Sequence, residues 1–437
     1  MLETALIIEK VATYFLIFKA LIIQFWWIVP PFLLYPQLKF YFTLYMAAMW
    51  SSDKSREIIT LEIKIPRDLT RPIKAMENVM NSIWGSYDPP KDWRASYFEG
   101  KVILPVSFEI AGIDGVPHFY IRIPKSNRKL IESAIYSQYH EVEIIEVPDY
   151  TKQVPMDIPN NEWDLWGTDF ELVKPDVYPI KTYEQFFEER PDTPSEEKRI
   201  DPLSSLFETI SKTSKGEQMW IQMTMWPIST KENDYVGRGK KEVDKLVNRN
   251  KKGEFVSLIE DFFKLLFTGK MSEPPKEEES ILPPEMKLTP GERDVVSAIE
   301  KKISKPCFQG FIRYIYLAKR DVFFGGAKGF GTSFFSQFTT QNLNNLKPWG
   351  EVTTKIQSPD IFTARRLYLR KRDILENYRN MAPSFDPYPK EGAIYTFNIE
   401  ELATMYHFPG IDAVPTLALE RVEMKKAAPP STLPTEN

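Results

Sequence analysis

An α+β fold behind a membrane-spanning N-terminal helix is what this 437-residue sequence predicts. Three observations carry that expectation. A long apolar, aromatic run follows Lys19, period-two alternation recurs through the body, and segments of helical period stand between the alternating ones.

The apolar run, Ala20 to Tyr35, reads ALIIQFWWIVPPFLLY. A spanning helix needs about 20 mostly apolar residues. The run reaches that length when extended back through Val11 to Phe18 with Lys19 snorkelling. Leu21, Ile22, Phe25, Trp26, Trp27, Ile28, Phe32, Leu33 and Tyr35 are the expected anchor residues, within an anchor segment 1–50. Lys39, Lys54 and Arg56 follow the run, whereas Glu3, Glu9 and Lys10 precede it, which puts the body in the cytoplasm. An interfacial hairpin split at Pro30-Pro31 is the competing account.

Residues 51–155 read as a ferredoxin-like domain. Ile59, Leu61, Ile63 and Ile65 alternate with polar residues as a half-buried strand does, and a helix follows from Thr70-Arg-Pro72 with Ile73, Met76, Val79, Met80 and Ile83 on one face. Val102 to Ile110 gives a second strand, and Ile113-Asp114-Gly115 turns the chain into Phe119, Ile121 and Ile123. A helix from about Ser126 and a strand through Val142, Ile144 and Val147 complete the order βαββαβ.

Residues 156–350 read as a second, split α/β domain related to the first. Strand Asp169 to Val173, helix Pro202 to Ser211 and strand Gln218 to Trp226 come before a charged insertion, 229–288; helix Pro290 to Ile303 and strand Phe311 to Leu317 come after it. The insertion holds a basic helix around Val243 to Val247, an apolar helix Phe255 to Phe267 and the linker Glu273 to Ser280. A helix is expected over Phe334 to Leu346, leaving one strand of the repeat unaccounted for. Residues 351–437 read as a helical segment and a proline-rich tail.

Chemistry is sparse. Basic residues number 56 and acidic residues 60, so no global field draws the chain onto nucleic acid. Cys307 is the only cysteine, which excludes internal disulfides and multi-thiolate metal sites. Gly325 to Ser333 has the glycines of a phosphate loop, but no lysine stands directly before its Thr or Ser, so it reads as a flexible loop. His118, His140 and His407 stand apart, and no cofactor, metal site or enzyme activity is expected. Arg365, Arg366, Arg370, Lys371 and Arg372 form a basic cluster on a helix whose buried side is Leu367, Ile374, Leu375 and Tyr378. A solvated face explains them most simply; contact with DNA, an acidic partner or anionic lipid is the functional alternative.

Several phrases together resemble one bacterial family. They are Tyr97 to Val102 (YFEGKV), Ser107 to Gly115 (SFEIAGIDG), His118 to Pro124 (HFYIRIP), Asp164 to Thr168 (DLWGT), Gly216 to Gln222 (GEQMWIQ), Thr339 to Asn344 (TTQNLN) and Glu400 to Pro409 (EELATMYHFP). They resemble the membrane-anchored module of unknown function that precedes a HerA/FtsK-like motor ATPase similar to those of conjugation and type IV secretion. The resemblance covers nearly the whole chain. It implies a bacterial inner-membrane location and a non-catalytic scaffold that docks a P-loop ATPase in cis, beyond the linker Pro429 to Pro434, or in trans. It also implies homo-oligomers within a translocation complex. Glu401, Tyr406 and His407 become the expected partner-facing residues on a helix leading into that linker. The alternative is an independent lipid-associated or nucleic-acid-binding module without a motor.

Overall fold

The computed structural model describes residues 13–14, 19–20, 23–66, 69, 71–189, 197–247, 288–356, 362–385 and 389–410. The chain divides into two compact units, Met1–Glu57 with Asp88–Ile103, and Ile58–Tyr87 with Leu104–Asn437.

In the first unit a 3-10 turn, Trp26–Ile28, precedes helix α1, Val29–Ser51. Pro30 and Pro31 suit that start, because N–H groups in a first turn have no intrahelical acceptor to lose. Helix α1 therefore takes only the second half of the apolar run and continues through Pro36, Gln37, Lys39, Tyr41, Thr43 and Tyr45. Those residues dilute its hydropathy, and among the described residues no helix is long and apolar enough to cross a membrane. The expected single-pass inner-membrane placement, with its transmembrane helix, is overturned on that ground. Leu21 and Ile22 lie outside the described residues, as do the side chains of Ile28 and Phe32. Phe25, Trp26, Trp27, Leu33 and Tyr35 are exposed. A short helix, Trp93–Tyr97, capped by Asp92, packs on α1: Phe98 meets Phe42 edge-on at 6.3 Å, and Lys39 sits 4.8 Å from the Tyr97 ring centre. Gly100 runs so close that a Cβ there would lie 2.2 Å from the Met46 carbonyl oxygen.

The second unit begins with β1 (Ile58–Lys64), α2 (Ile73–Trp84), β2 (Val106–Ile113), β3 (Val116–Pro124), α3 (Arg128–Tyr136) and β4 (Glu143–Val147), the βαββαβ order read from the sequence. Asp114 and Gly115, at φ 50° and 87°, make the two-residue turn between β2 and β3. The same order returns as β5 (Trp163–Leu172), α4 (Ser204–Ser211), β6 (Glu217–Ile228), β7 (Cys307–Lys319), α7 (Lys328–Ser336) and β8 (Leu346–Pro348). Helices α5 (Tyr235–Val247) and α6 (Pro290–Ile303) stand between β6 and β7, and a small hairpin, Phe187–Glu189 with Glu197–Arg199, follows β5. The chain goes on to α8 (Thr363–Arg379), β9 (Tyr395–Asn398) and α9 (Ile399–Met405).

Strands β1 to β9 form one sheet, in the order β8-β5-β7-β6-β2-β3-β1-β4 with β9 added on β7, separate from the small hairpin. Each half runs fourth, first, third, second. The halves join where β2 and β6 pair antiparallel, Val106 opposite Met225 and Ile113 opposite Gln218. Alternate side chains then serve opposite faces. Leu61, Phe108, Ile121, Met223, Ile312 and Tyr316 line the face covered by α2, α3, α4, α7 and α9. Tyr120, Leu165, Trp220, Ile315 and Leu317 line the other, under Ile374, Leu375 and Tyr378 of α8.

Several expectations change, among them residues 351–437, which read as helical and also carry strand β9. The strand missing from the repeat is β8, whose three residues are too few to show an alternation. The helix expected over Phe334 to Leu346 lies earlier, at Lys328–Ser336, so the glycine-rich stretch is a 3-10 turn and a helix start rather than a loop. Gly331 explains the shift: it lets that helix lie against Tyr314, where a Cβ would come within 2.4 Å of the ring. The helix expected over Phe255 to Phe267, the linker Glu273 to Ser280 and the tail Pro429 to Pro434 lie outside the described residues.

Gly310 sits opposite Met225 on β6 and Tyr395 on β9, and a Cβ on it would lie 2.0 Å from the Thr224 carbonyl oxygen. Gly310→Ala is expected to cost about 1–3 kcal/mol of stability, read as a lower urea midpoint at unchanged slope.

Candidate functional site

The motif Glu400 to Pro409 holds the first concentration of ionisable groups. Helix α9 starts in a capping box: Glu401 N–H donates to Asn398 Oδ1 at 2.8 Å and Asn398 N–H to Glu401 Oε2 at 2.9 Å. Every residue of the helix is buried, so its acidic side chains need partners within the protein. Lys302 on α6 supplies one, its Nζ 2.9 Å from Glu401, which also accepts from Ile180 N–H at 2.9 Å. Lys305 bridges Glu400 at 2.5 Å and Glu77 at 2.8 Å, and the Tyr183 hydroxyl donates to Glu77 at 2.8 Å. Burial pulls upward on the carboxyl pKa of Glu77 and of Glu400, but the lysines outweigh it and both end below the usual 4.5. Burial wins at Glu401, whose pKa is raised despite Lys302.

Tyr406, His407 and Phe408 continue into the core. Tyr406 packs 5.2 Å from Phe108 and 5.7 Å from Phe119, and Phe408 packs 4.9 Å from Tyr139. His407 places Nδ1 3.0 Å from the Ala403 carbonyl and Nε2 3.1 Å from Asp201. Glu401, Tyr406 and His407 were expected to face a partner. They are at most 1% exposed, and the correction follows from their ties to Lys302, the aromatic core and Asp201.

A second concentration crosses the other face of the sheet under α8. Arg313 on β7 holds Asp169 on β5 through Nε at 2.6 Å and Nη2 at 2.9 Å, and Ser384 donates to the same carboxylate. Glu109 on β2 accepts from Ser107 at 2.6 Å, Gln222 at 2.8 Å and the Tyr150 hydroxyl at 2.7 Å, with Arg122 at 3.6 Å. The Tyr150 and Tyr378 hydroxyls lie 2.6 Å apart. Burial, then Glu109, pushes both phenol pKa values far above 10, so neither supplies a base near neutral pH. Each buried carboxylate in this row has its cation or its donors, and α8 is tied to the sheet through Tyr378, whose carbonyl accepts from Arg122 and Gln222.

The basic cluster on α8 divides by role. Arg370 donates to the Thr353 and Lys355 carbonyls at 3.2 and 2.8 Å, and Lys371 pairs with Asp164 at 2.6 Å. These two fasten the helix. Arg365, Arg366 and Arg372 are exposed. Asn344, in the phrase Thr339 to Asn345, is buried and donates to the carbonyls of Lys174, Pro175 and Tyr178, so that polar stretch pins a loop.

Spacing in the sequence does not reveal the pairs His118–Glu62, at 2.7 Å, and His407–Asp201, because their partners lie on other elements. Among the described residues no group of three His, Cys, Asp or Glu side chains could hold a metal ion. Cys307 is buried beside Tyr235, and burial pushes its thiol pKa up to about 12, which removes it as a nucleophile at neutral pH. No protein-family model matches the chain, and no curated protein matches it.

Lys302→Met is expected to cost about 3–5 kcal/mol, because Glu401 then stays buried without its cation. The double variant Lys302→Met/Glu401→Gln should recover part of that loss in the same urea titration. Glu77 and Glu400 have folded pKa values below 4.5, so their contribution is complete above pH 4.5 and is lost as pH falls through the folded values. Glu401 acts in the opposite sense, favouring the fold when protonated. The urea midpoint should drop as pH falls below 4.5, and drop less steeply in Glu400→Gln.

Proposed function

We propose that this chain is a non-catalytic docking module for a P-loop motor ATPase of the kind found in conjugation and type IV secretion. The observation that carries the reading is the surface of α1, where Leu33, Leu34, Tyr35, Leu38, Tyr41, Tyr45 and Met49 are all exposed. Exposed apolar surface of that extent marks an interaction site in a folded protein. The buried charged groups support the same reading from the other direction, since they are paired within the protein, helix to helix or strand to strand. The ATPase class rests on the sequence resemblance. Within this reading, each βαββαβ half is a ferredoxin-like domain, and the two are fused edge to edge as a platform.

Affinity purification of the full chain from the cells that make it is expected to recover a protein with Walker motifs in stable proportion. Deleting residues 1–51 should abolish that recovery while leaving the circular dichroism of the remaining sheet. Recovery of DNA or lipid with no ATPase would overturn the docking reading in favour of an independent binding module.

A further inference from the structure

A cavity of about 480 Å³ opens at the C-terminal end of α8, on the sheet face away from α9. Its charged lining is Arg122, Lys152, Arg372 and Arg379 against Asp149 and Glu376, four cations to two carboxylates. The size lies in the range of small-ligand sites, roughly 300–1,000 Å³.

The two inner arginines differ in how their charge is met. Arg122, 4% exposed, donates to the carbonyls of Tyr378 and Arg379 at the helix end, with Glu109 at 3.6 Å and Asp149 at 3.5 Å, and its Nε has no partner. Arg379 donates only to the neutral carbonyls of Thr151, Val154 and Pro155. Among the described residues it has no carboxylate in ion-pair reach, and burial works against its charge, opposed by Asp149. Asp149 is itself engaged, accepting from Thr151 N–H at 3.0 Å and from the Thr151 hydroxyl at 2.7 Å. Lys152 and Arg372 are exposed at the rim, Arg372 with its guanidinium 5.8 Å from the Tyr368 ring centre.

We infer that this cavity binds a phosphoryl group. A half-buried guanidinium without a counter-ion is costly, and an anion in the cavity removes that cost. Cations still exceed carboxylates by one when Glu109, the other partner of Arg122, is counted, and a phosphate monoester, which carries about −1.5 to −2 at neutral pH, supplies the missing negative charge. Paired guanidinium groups suit its oxygens in number and geometry. The phosphoryl group can come from a soluble metabolite or from a phospholipid headgroup, and this site is independent of the docking surface on α1.

Calorimetric titration of the full chain with inorganic pyrophosphate, and flotation with phosphatidic acid in phosphatidylcholine vesicles, test the inference. Saturable one-to-one binding of pyrophosphate supports a soluble ligand, and flotation without pyrophosphate binding supports a headgroup. In either case the exposed double variant Lys152→Glu/Arg372→Glu should weaken binding by at least about ten-fold, with the ligand-free Tm unchanged. Arg379→Gln should weaken binding further, but it also loosens the 151–155 segment, so the rim variant carries the decision. The inference is overturned if neither probe binds, or if binding survives the double charge reversal. ATPase recovery would be unaffected by that result.

Discussion

The antiparallel pairing of β2 with β6 is the contact on which this structure depends. Each βαββαβ half ends at its second strand, and an edge strand presents a row of unpaired backbone groups. Joining the two edges satisfies those groups and produces one sheet wide enough to need cover on both faces. The helices internal to the two halves cover one face. Segments from beyond the second half complete that cover with α9 and supply α8 to the other face.

Covering so wide a sheet with late segments brings polar groups inside. Helix α9 is acidic at its start and wholly buried, and it is tolerable there because Lys301 and Lys302 at the end of α6, and Lys305 just beyond it, lie beside its carboxylates. The α6 segment thus has a structural task in the second half. On the opposite face, Glu109, with three hydrogen-bond donors and Arg122 beside it, does the same for α8 through Tyr150 and Tyr378, while Asp169 and Arg313 join β5 to β7. A buried pair of this kind adds little net stability against an apolar alternative, yet its loss is costly, so it specifies which helix sits where.

Much of the fold was legible because local chemistry and tertiary packing agree. The alternation of Ile59 to Ile65, the Asp114-Gly115 turn and the helix start at Pro290 all recur in the structure with adjusted limits. The misreadings fall where a segment is too short or too ambiguous for period to decide. Strand β8 has three residues, and the glycines before Phe334 look like a loop until Tyr314 is placed against Gly331. The limits of α1 are not visible in the apolar run, because such a run does not state where a helix starts, and α1 begins at Val29.

By itself, the sequence determined the type and order of most of the longer elements, because strand and helix periods, turn residues and caps act over a few neighbouring positions. It also limited the chemistry, through a single cysteine and scattered histidines. Only the tertiary structure decided that the two halves share one sheet and that Glu401, Tyr406 and His407 point inward. It likewise decided that Arg370 and Lys371 are fasteners while Arg372 and Arg379 border a cavity. Those outcomes depend on partners as far apart in the chain as Glu109 and Tyr378, or Asp201 and His407. A side chain's charge is visible in the sequence, whereas the group that meets it is set by the packing of distant elements.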